Sequence, residues 1–246
     1  MAFSGKMSAA ETGLNLLLIT VSPLQSLIDR PGLTHQFCNR QALHILRNDG
    51  FTHHADFFAN YLTELNFGVL WADKDWKNIH HYFEPYSGKG LWQFANAIDN
   101  FNLYYEMASS TADRRDFKKA AFFLGAAAHL GQDLCVPHHA RAKLFCGHSQ
   151  YESWVQQHYA EYAVVSGGIY LEDQPPSFLL LYNANLAADF LPWLTPKNGE
   201  TYFASTTAAL LTIAQRTTAG LFWQFARQIF CPDSRPVPKT NSLLVI

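Results

Sequence analysis

Between His129 and Glu152 the chain reads HLGQDLCVPHHARAKLFCGHSQYE, a stretch holding His129, His138, His139 and His148 of its 11 histidines. Two of them have a carboxylate four residues later: Asp133 after His129, and Glu152 after His148. Residues four apart share one helix face, with Cβ atoms about 5–6 Å apart, so each pair can grip a cation. Imidazole nitrogen and carboxylate oxygen are ordinary zinc ligands, and three such groups plus water make a reactive site instead of a structural one. His139 stands between the two pairs and makes them the outline of a multi-metal centre. A single pair carries little weight, because short motifs arise by chance and a lone histidine often just hydrogen-bonds a carboxylate. The whole series in one short stretch carries far more.

Further candidates lie upstream. His35 follows Gly32 and Thr34 just inside a helix start, where alone it reads as a capping or surface residue. Asp73 sits after Gly68, where a carboxylate either ligates a metal or caps a turn. His80 and His81 are adjacent, so one of them at most faces a given site. His44, His53, His54 and His158 are assigned to structure or surface. Trp71, Trp76, Tyr82 and Phe83 flank the candidates and read either as core packing or as a wall for a cationic headgroup.

These residues need helices to place them. The segment from Thr34 to about Asn48 has helical apolar spacing and stops at Asn48-Asp49-Gly50. Thr52 is expected to cap a second helix through Phe57, Phe58, Tyr61, Leu62 and Leu65. Gly68 to Gly90 lacks periodicity and reads as a long loop of the kind that usually carries function. Helix is expected again from Leu91 to about Met107, broken by Ser109-Ser110-Thr111, and from Phe117 to near Asp133. There Pro137 disfavours helix in the residue before it. The alanines and Gly125 of the latter helix would let another backbone approach closely. His148 to about Val164 is helical, ended by Gly167-Gly168. Ser177 to Trp193 is helix or an irregular apolar segment, Thr201 to Phe230 is a long helix, and the tail to Ile246 is extended. No strand alternation and no repeat is visible, so the fold class is all-α, a single multi-helix domain.

Composition narrows the function classes. A chain of 246 residues can bury a substantial core, and a formal net charge of −2 advertises neither a nucleic-acid footprint nor a polybasic membrane patch. Cys38, Cys135, Cys146 and Cys231 show no CxxC spacing. Cys135 and Cys146 lie among the ligand candidates as thiol ligands, a disulfide or packing, of which packing fits a buried thiol best. Gly13 to Leu27 is apolar but shorter than a membrane span. Residues 1–27 are therefore set apart as a signal or anchor segment, with a plain helix as the alternative, and residues 28–246 as the domain.

The series resembles the bacterial zinc-dependent phospholipase C family, which includes the alpha-toxins. The family pattern is His-x3-Asp-x5-His, a gap, then His-x3-Glu; here it is His129-LGQ-Asp133-LCVPH-His139 and His148-SQY-Glu152. The spacing selects His139 over His138. Thr34-His35 with the following QALHILRND, the aspartate after Gly68, and His81-Tyr-Phe-Glu-Pro85 are similar to further family elements, over about residues 33 to 164. The resemblance implies an all-helical domain with three zinc ions. Asp73, His81, His129 and Asp133 would surround one, His139, His148 and Glu152 a second, and His35 with the shared Asp133 a third. Asp73 would also act as general base. The expected reaction is hydrolysis of a glycerophospholipid at a membrane surface by a secreted or extracytoplasmic monomer, with no nucleic-acid partner.

The pattern departs at one point. In the family the third ion is completed by an N-terminal tryptophan exposed by processing, whereas the first tryptophan here is Trp71. Either cleavage near Pro23 to Ser26 exposes another residue or the third site is altered. Two alternatives stand beside the lipase. One is a zinc-dependent single-strand nuclease of the related fungal and plant family, which usually ends its second pair in Asp across a longer gap. The other is a zinc-binding member of the fold without turnover.

Overall fold

The computed structural model describes residues 32–91, 96–144, 147–194 and 200–231. The segment 1–27 and the proline-bearing tail lie outside these residues, as do Trp92 and Cys146 and the side chain of Trp76. Among the described residues the secondary structure is helical, apart from one isolated bridge between Glu84 and Lys89. In chain order the helices are α1 (Leu33–Asn48), α2 (Thr52–Ala59), α3 (Leu62–Ala72), α4 (Ala97–Asp113) and α5 (Phe117–Asp133). They continue with α6 (Pro137–Ala140), α7 (His148–His158), α8 (Ser177–Ala188) and α9 (Glu200–Phe230). The all-α expectation is met.

The buried centre of the fold is α5. Every residue from Phe123 to Asp133 is buried, which a helix achieves only when neighbours cover it all round. The neighbours α3 and α4 pack along it, with α8 and α9 behind. The α3–α5 crossing is close enough for backbone to touch backbone. A Cβ on Gly68 would fall 1.9 Å from the Phe122 carbonyl oxygen, and one on Gly125 would fall 2.0 Å from that of Leu65. Two glycines facing each other thus set the spacing of the helices that carry Asp73 and His129. A second layer of large side chains, including Phe58, Phe101, Phe222 and Phe225, is fully buried around α2, α4 and α9. Each stabilises the fold by roughly 1.5–3 kcal/mol of transfer free energy.

Several boundaries differ from the sequence reading. Gly68 does not open a loop; it lies inside α3, because its missing side chain is needed at the crossing with α5. The loop begins only after Asp73 and contains a 3-10 turn, Asp75–His81. The α4 helix starts at Ala97, where the Asn96 side chain accepts the Asp99 N–H at 3.0 Å. It also runs through Ser109-Ser110-Thr111 instead of breaking there. Ser109 Oγ donates to the Tyr105 carbonyl at 3.0 Å and Thr111 Oγ1 to that of Met107 at 2.8 Å, so these hydroxyls bond within the helix. Thr52 is the first residue of α2, and Phe51 holds the cap position. Finally, α7 ends at His158 and continues only as a 3-10 turn, Tyr159–Tyr162.

Candidate metal centre

The C-terminal end of α5 carries His129 and Asp133 one turn apart, and both are almost completely buried. Val136, extended at φ −91° and ψ 120°, breaks the helix before Pro137, and the proline opens the short α6 that presents His139. The 3-10 turn after α3 ends on His81, while α1 and α7 bring His35 and His148 with Glu152. The Tyr82-Phe83 segment that follows His81 is pinned on both sides. Phe83 N–H donates to the His139 carbonyl at 3.1 Å, and Ala97 N–H donates to that of Tyr82 at 3.2 Å.

Asp133 is the hub. Its Oδ2 lies 2.7 Å from His81 Nδ1, 3.1 Å from His129 Nε2 and 3.4 Å from His139 Nδ1, and its Oδ1 lies 3.4 Å from His35 Nε2. Asp73 Oδ1 stands at the margin, 4.0 Å from His129 Nε2, with its side chain 38% exposed. Beyond His139 a second group forms. His139 Nε2 is 2.9 Å from His148 Nε2 and 3.4 Å from Glu152 Oε1, and His148 Nε2 is 2.8 Å from the same oxygen. All eight side chains singled out from the sequence are therefore brought into one continuous cluster. Four overlapping triads within it have the reach to hold a metal ion: His35/His129/Asp133, Asp73/His81/His129, His81/Asp133/His139 and His139/His148/Glu152.

His148 hydrogen-bonds His139 and Glu152, but around Asp133 Oδ2 the distances are those of hydrogen bonds and the directions are not. Asp133 Oδ2 and His139 Nδ1 are buried and form no hydrogen bond, although they are 3.4 Å apart. His81 shows why. Its Nε2 is 3.1 Å from the Ala72 carbonyl oxygen, which can only accept, so Nε2 carries the proton. Neutral His81 therefore turns the lone pair of Nδ1, not an N–H, toward the Asp133 carboxylate at 2.7 Å. Two lone pairs facing at that distance repel unless a cation lies against both. Ligand atoms around a tetrahedral zinc at 2.0–2.1 Å are about 3.3 Å apart, close to the spacings observed here. The donor set fits zinc, and the Ala72 carbonyl is the kind of outer partner that orients a ligating imidazole.

The electrostatics point the same way. Burial pushes the Asp133 carboxyl up, yet the histidines His129, His139 and His81 hold it well below the usual range. Burial would also lower His139, but the Asp133 and Glu152 carboxylates raise it to about 10. His129 is raised because the pull of Asp133 and Asp73 outweighs burial. His35 and His81 go down, chiefly by burial, with the charge of His129 adding to it. Burial opposes ionisation of Glu152 too, and the neighbouring His148 and His139 overcome it. A metal bound here would have to displace protons from these imidazoles, so its affinity would fall as pH falls.

The remaining candidates separate cleanly. His138 is buried with its ring stacked on His148 at 4.9 Å and belongs to none of the four triads, nor does His80. His44 is exposed, His53 and His54 pack against the Phe230 ring, and His158 stacks on Trp154. Tyr82 lies on the His139 ring at 4.6 Å, Phe83 is core, and Trp71 packs on Tyr104 and Phe122 under the Lys77 ammonium. These three aromatics read as packing. Cys38 and Cys135 are buried thiols whose ionisation burial opposes, Cys38 pushed up to about 12. Among the described residues no helix is long and apolar enough to cross a membrane. Ligand spacing does not mark Gln132, Asn39 and Thr218, which form a hydrogen-bonded network behind His35. The only signal for them was a buried amide between two ligand candidates on one helix.

The chain is similar to known proteins over most of this region. A family model described as zinc dependent phospholipase C matches residues 34–192. A phospholipase C of Bacillus cereus is 30% identical over 120 residues, covering 44% of this chain and 42% of that protein. Among solved structures, an alpha toxin from Clostridium absonum superposes with a TM-score of 0.74 at 18% identity, covering 82% of this chain and 65% of that one. The Clostridium perfringens alpha-toxin from an avian strain gives 0.68 at 18% identity, covering 80% of this chain and 63% of that one. The matches span under half of the Bacillus protein and just under two thirds of either toxin. With a match running from α1 to just beyond α8, and with a donor set suited to zinc at the end of α5, the chain belongs to the zinc-dependent phospholipase C family.

Proposed function

We propose that this protein is a zinc-dependent phosphodiester hydrolase of phospholipase C type, releasing diacylglycerol and a phosphorylated headgroup. One observation carries the reading: a single buried carboxylate, Asp133, is shared by imidazoles from four elements, with Asp73 partly exposed at the margin of the cluster. That is a multi-cation site with one accessible side. In this reading Asp73, His81, His129 and Asp133 hold one zinc, and His139, His148 and Glu152 a second. His35 and the shared Asp133 hold a third. Zinc would neutralise the phosphate oxygens, acidify a bound water and steady the departing alkoxide. In this reading Asp73, at the exposed margin of the cluster, orients that water and takes its proton as general base. Attack of the water oxygen on phosphorus would break the bond to the glycerol oxygen, which would leave as diacylglycerol after taking up the proton that Asp73 received. Contact with a lipid surface falls on exposed aromatics such as Tyr86 and Trp193, since such binding scales with the apolar area buried. The reading places the protein outside the cytoplasm.

The test offers zinc-loaded protein both phosphatidylcholine vesicles and single-stranded DNA, with zinc counted per chain. Release of diacylglycerol and phosphocholine, lost on chelation and restored by zinc, is the expected result. DNA cleavage without lipid cleavage would assign the site to the nuclease alternative. Fewer than three zinc ions with no turnover on either substrate would assign it to the non-catalytic one.

A further inference from the structure

Behind the cluster, Gln132 occupies the position between the two ligand candidates of α5 and is 4% exposed. Its amide joins three residues from two other helices, α1 and α9. Nε2 donates to Asn39 Oδ1 on α1 and to Thr218 Oγ1 on α9, each at 3.1 Å, and Oε1 lies 2.9 Å from His35 Nδ1. Asn39 in turn donates from Nδ2 to Asn66 Oδ1 on α3 at 3.1 Å.

The orientation of the Gln132 amide can be worked out from its Thr218 end. Thr218 Oγ1 is 2.7 Å from the Ala214 carbonyl, which has no proton to give, so the hydroxyl donates there and can only accept from Gln132. The Asn39 amide donates to Asn66 through its nitrogen, so its oxygen also faces Gln132 as an acceptor. Two acceptors fix the Gln132 nitrogen on their side and turn its oxygen toward His35. A glutamine oxygen cannot donate, so His35 must carry its proton on Nδ1. The other nitrogen, Nε2, is left as a lone pair aimed at Asp133 Oδ1 at 3.4 Å. This is the arrangement that the Ala72 carbonyl imposes on His81, built here from side chains instead of backbone.

We propose that Gln132 is the positioning residue of the third metal site: it locks His35 into the Nδ1–H tautomer, so that Nε2 is a ready ligand without the competition of its own proton. The site's purpose rests on the zinc reading above, but the tautomer does not, because the lock is made of hydrogen bonds among protein groups alone. Altering a hydrogen-bond partner of a ligating histidine typically costs about 10–100-fold in metal affinity.

The experiment records the histidine ring nitrogens by long-range 1H–15N NMR in zinc-free protein, alongside a zinc titration. Variants are Gln132→Met, which removes both polar ends, Gln132→Glu, which keeps an oxygen facing His35, and Thr218→Val, which removes one anchor of the amide. Wild type should show His35 protonated on Nδ1 alone. Gln132→Met should show a mixed population and bind one zinc equivalent about 10–100-fold more weakly. Gln132→Glu should restore the Nδ1–H state, and Thr218→Val should shift it partly. A wild-type His35 protonated on Nε2 overturns the proposal, as does a Gln132→Met protein with the wild-type tautomer. If Gln132→Met does not fold, the wild-type spectrum and Thr218→Val still decide. Should wild type show the Nδ1–H state but bind no zinc, the lock stands and the hydrolase reading falls.

Discussion

The two halves of the metal cluster are built differently. Around Asp133 the carboxylate itself, His81, His129 and His139 are buried, with His35 half-buried and Asp73 at the margin; His129 and Asp133 sit on one helix, and His81 and His35 each have their second ring nitrogen held from behind. Around Glu152 the support is lighter. His148 is the first residue of α7, the Glu152 side chain is 37% exposed, and neither is among the buried residues of its helix. The inner half is part of the hydrophobic core, whereas the outer half leans against it. Damage to the inner half should therefore reach metal, activity and folding together, and damage to the outer half should stay local.

The largest effect is expected at the hub. Asp133→Asn removes a negative charge on which four imidazoles converge, and turnover on phosphatidylcholine should fall by about 10³-fold or more. At least one zinc per chain should be lost with it. Full activity and full zinc content in that variant would sink the assignment of Asp133 as the bridge. Next comes Gly125→Ala, one turn before His129. The new Cβ would meet the Leu65 carbonyl at 2.0 Å, which no rotamer can relieve, and unfolding in urea should show a loss of at least about 3 kcal/mol. A variant as stable as wild type would show that the α3–α5 crossing has slack. Smaller still is Glu152→Gln in the outer half. Zinc affinity at one site should drop at least about 10-fold, while the urea midpoint of the zinc-free protein stays put. If instead the zinc-free protein unfolds as early as the Gly125 variant, the contrast between the two halves is wrong.

The division also explains what could be read from the chain beforehand. The ligand series was legible because His129/Asp133 and His148/Glu152 obey the helical i,i+4 rule, and because Val136-Pro137 marks where the helix must turn. The all-α class followed from apolar periodicity. Gly68 was misread as a loop start because a glycine required by close packing and one required by a turn look alike without the partner helix. Ser109 and Thr111 looked like breakers because their local bonding to preceding carbonyls leaves no mark on the sequence. Gln132 was missed for a different reason. Its partners His35, Asn39 and Thr218 stand 97, 93 and 86 residues away along the chain, and nothing local signals them.

The weakest expected effect concerns how the segment after α7 is tied to the inner frame. Asp49 closes α1, the helix that carries His35, and its carboxylate accepts three hydrogen bonds from the far side of α7. These come from Gly167 N–H at 2.9 Å, Gly168 N–H at 2.8 Å and the Tyr170 hydroxyl at 2.7 Å. Partial burial pushes the Asp49 carboxyl up, but these donors and Arg216 outweigh it and hold it below the usual value. A carboxylate so stabilised contributes fully above its unfolded pKa of about 3.9, and the contribution is lost as pH falls through the lower folded value. Asp49→Asn keeps an acceptor oxygen but loses the charge, so the expected cost near neutral pH is about 1–2 kcal/mol. That difference from wild type should shrink below about pH 4, where Asp49 of the unfolded chain becomes protonated, and vanish once the folded-state carboxyl is protonated at a lower pH. Urea unfolding of the zinc-free proteins at neutral and acid pH measures both numbers. A cost that is the same at both would mean that the carboxylate's shape, and not its charge, ties the outer segment to α1.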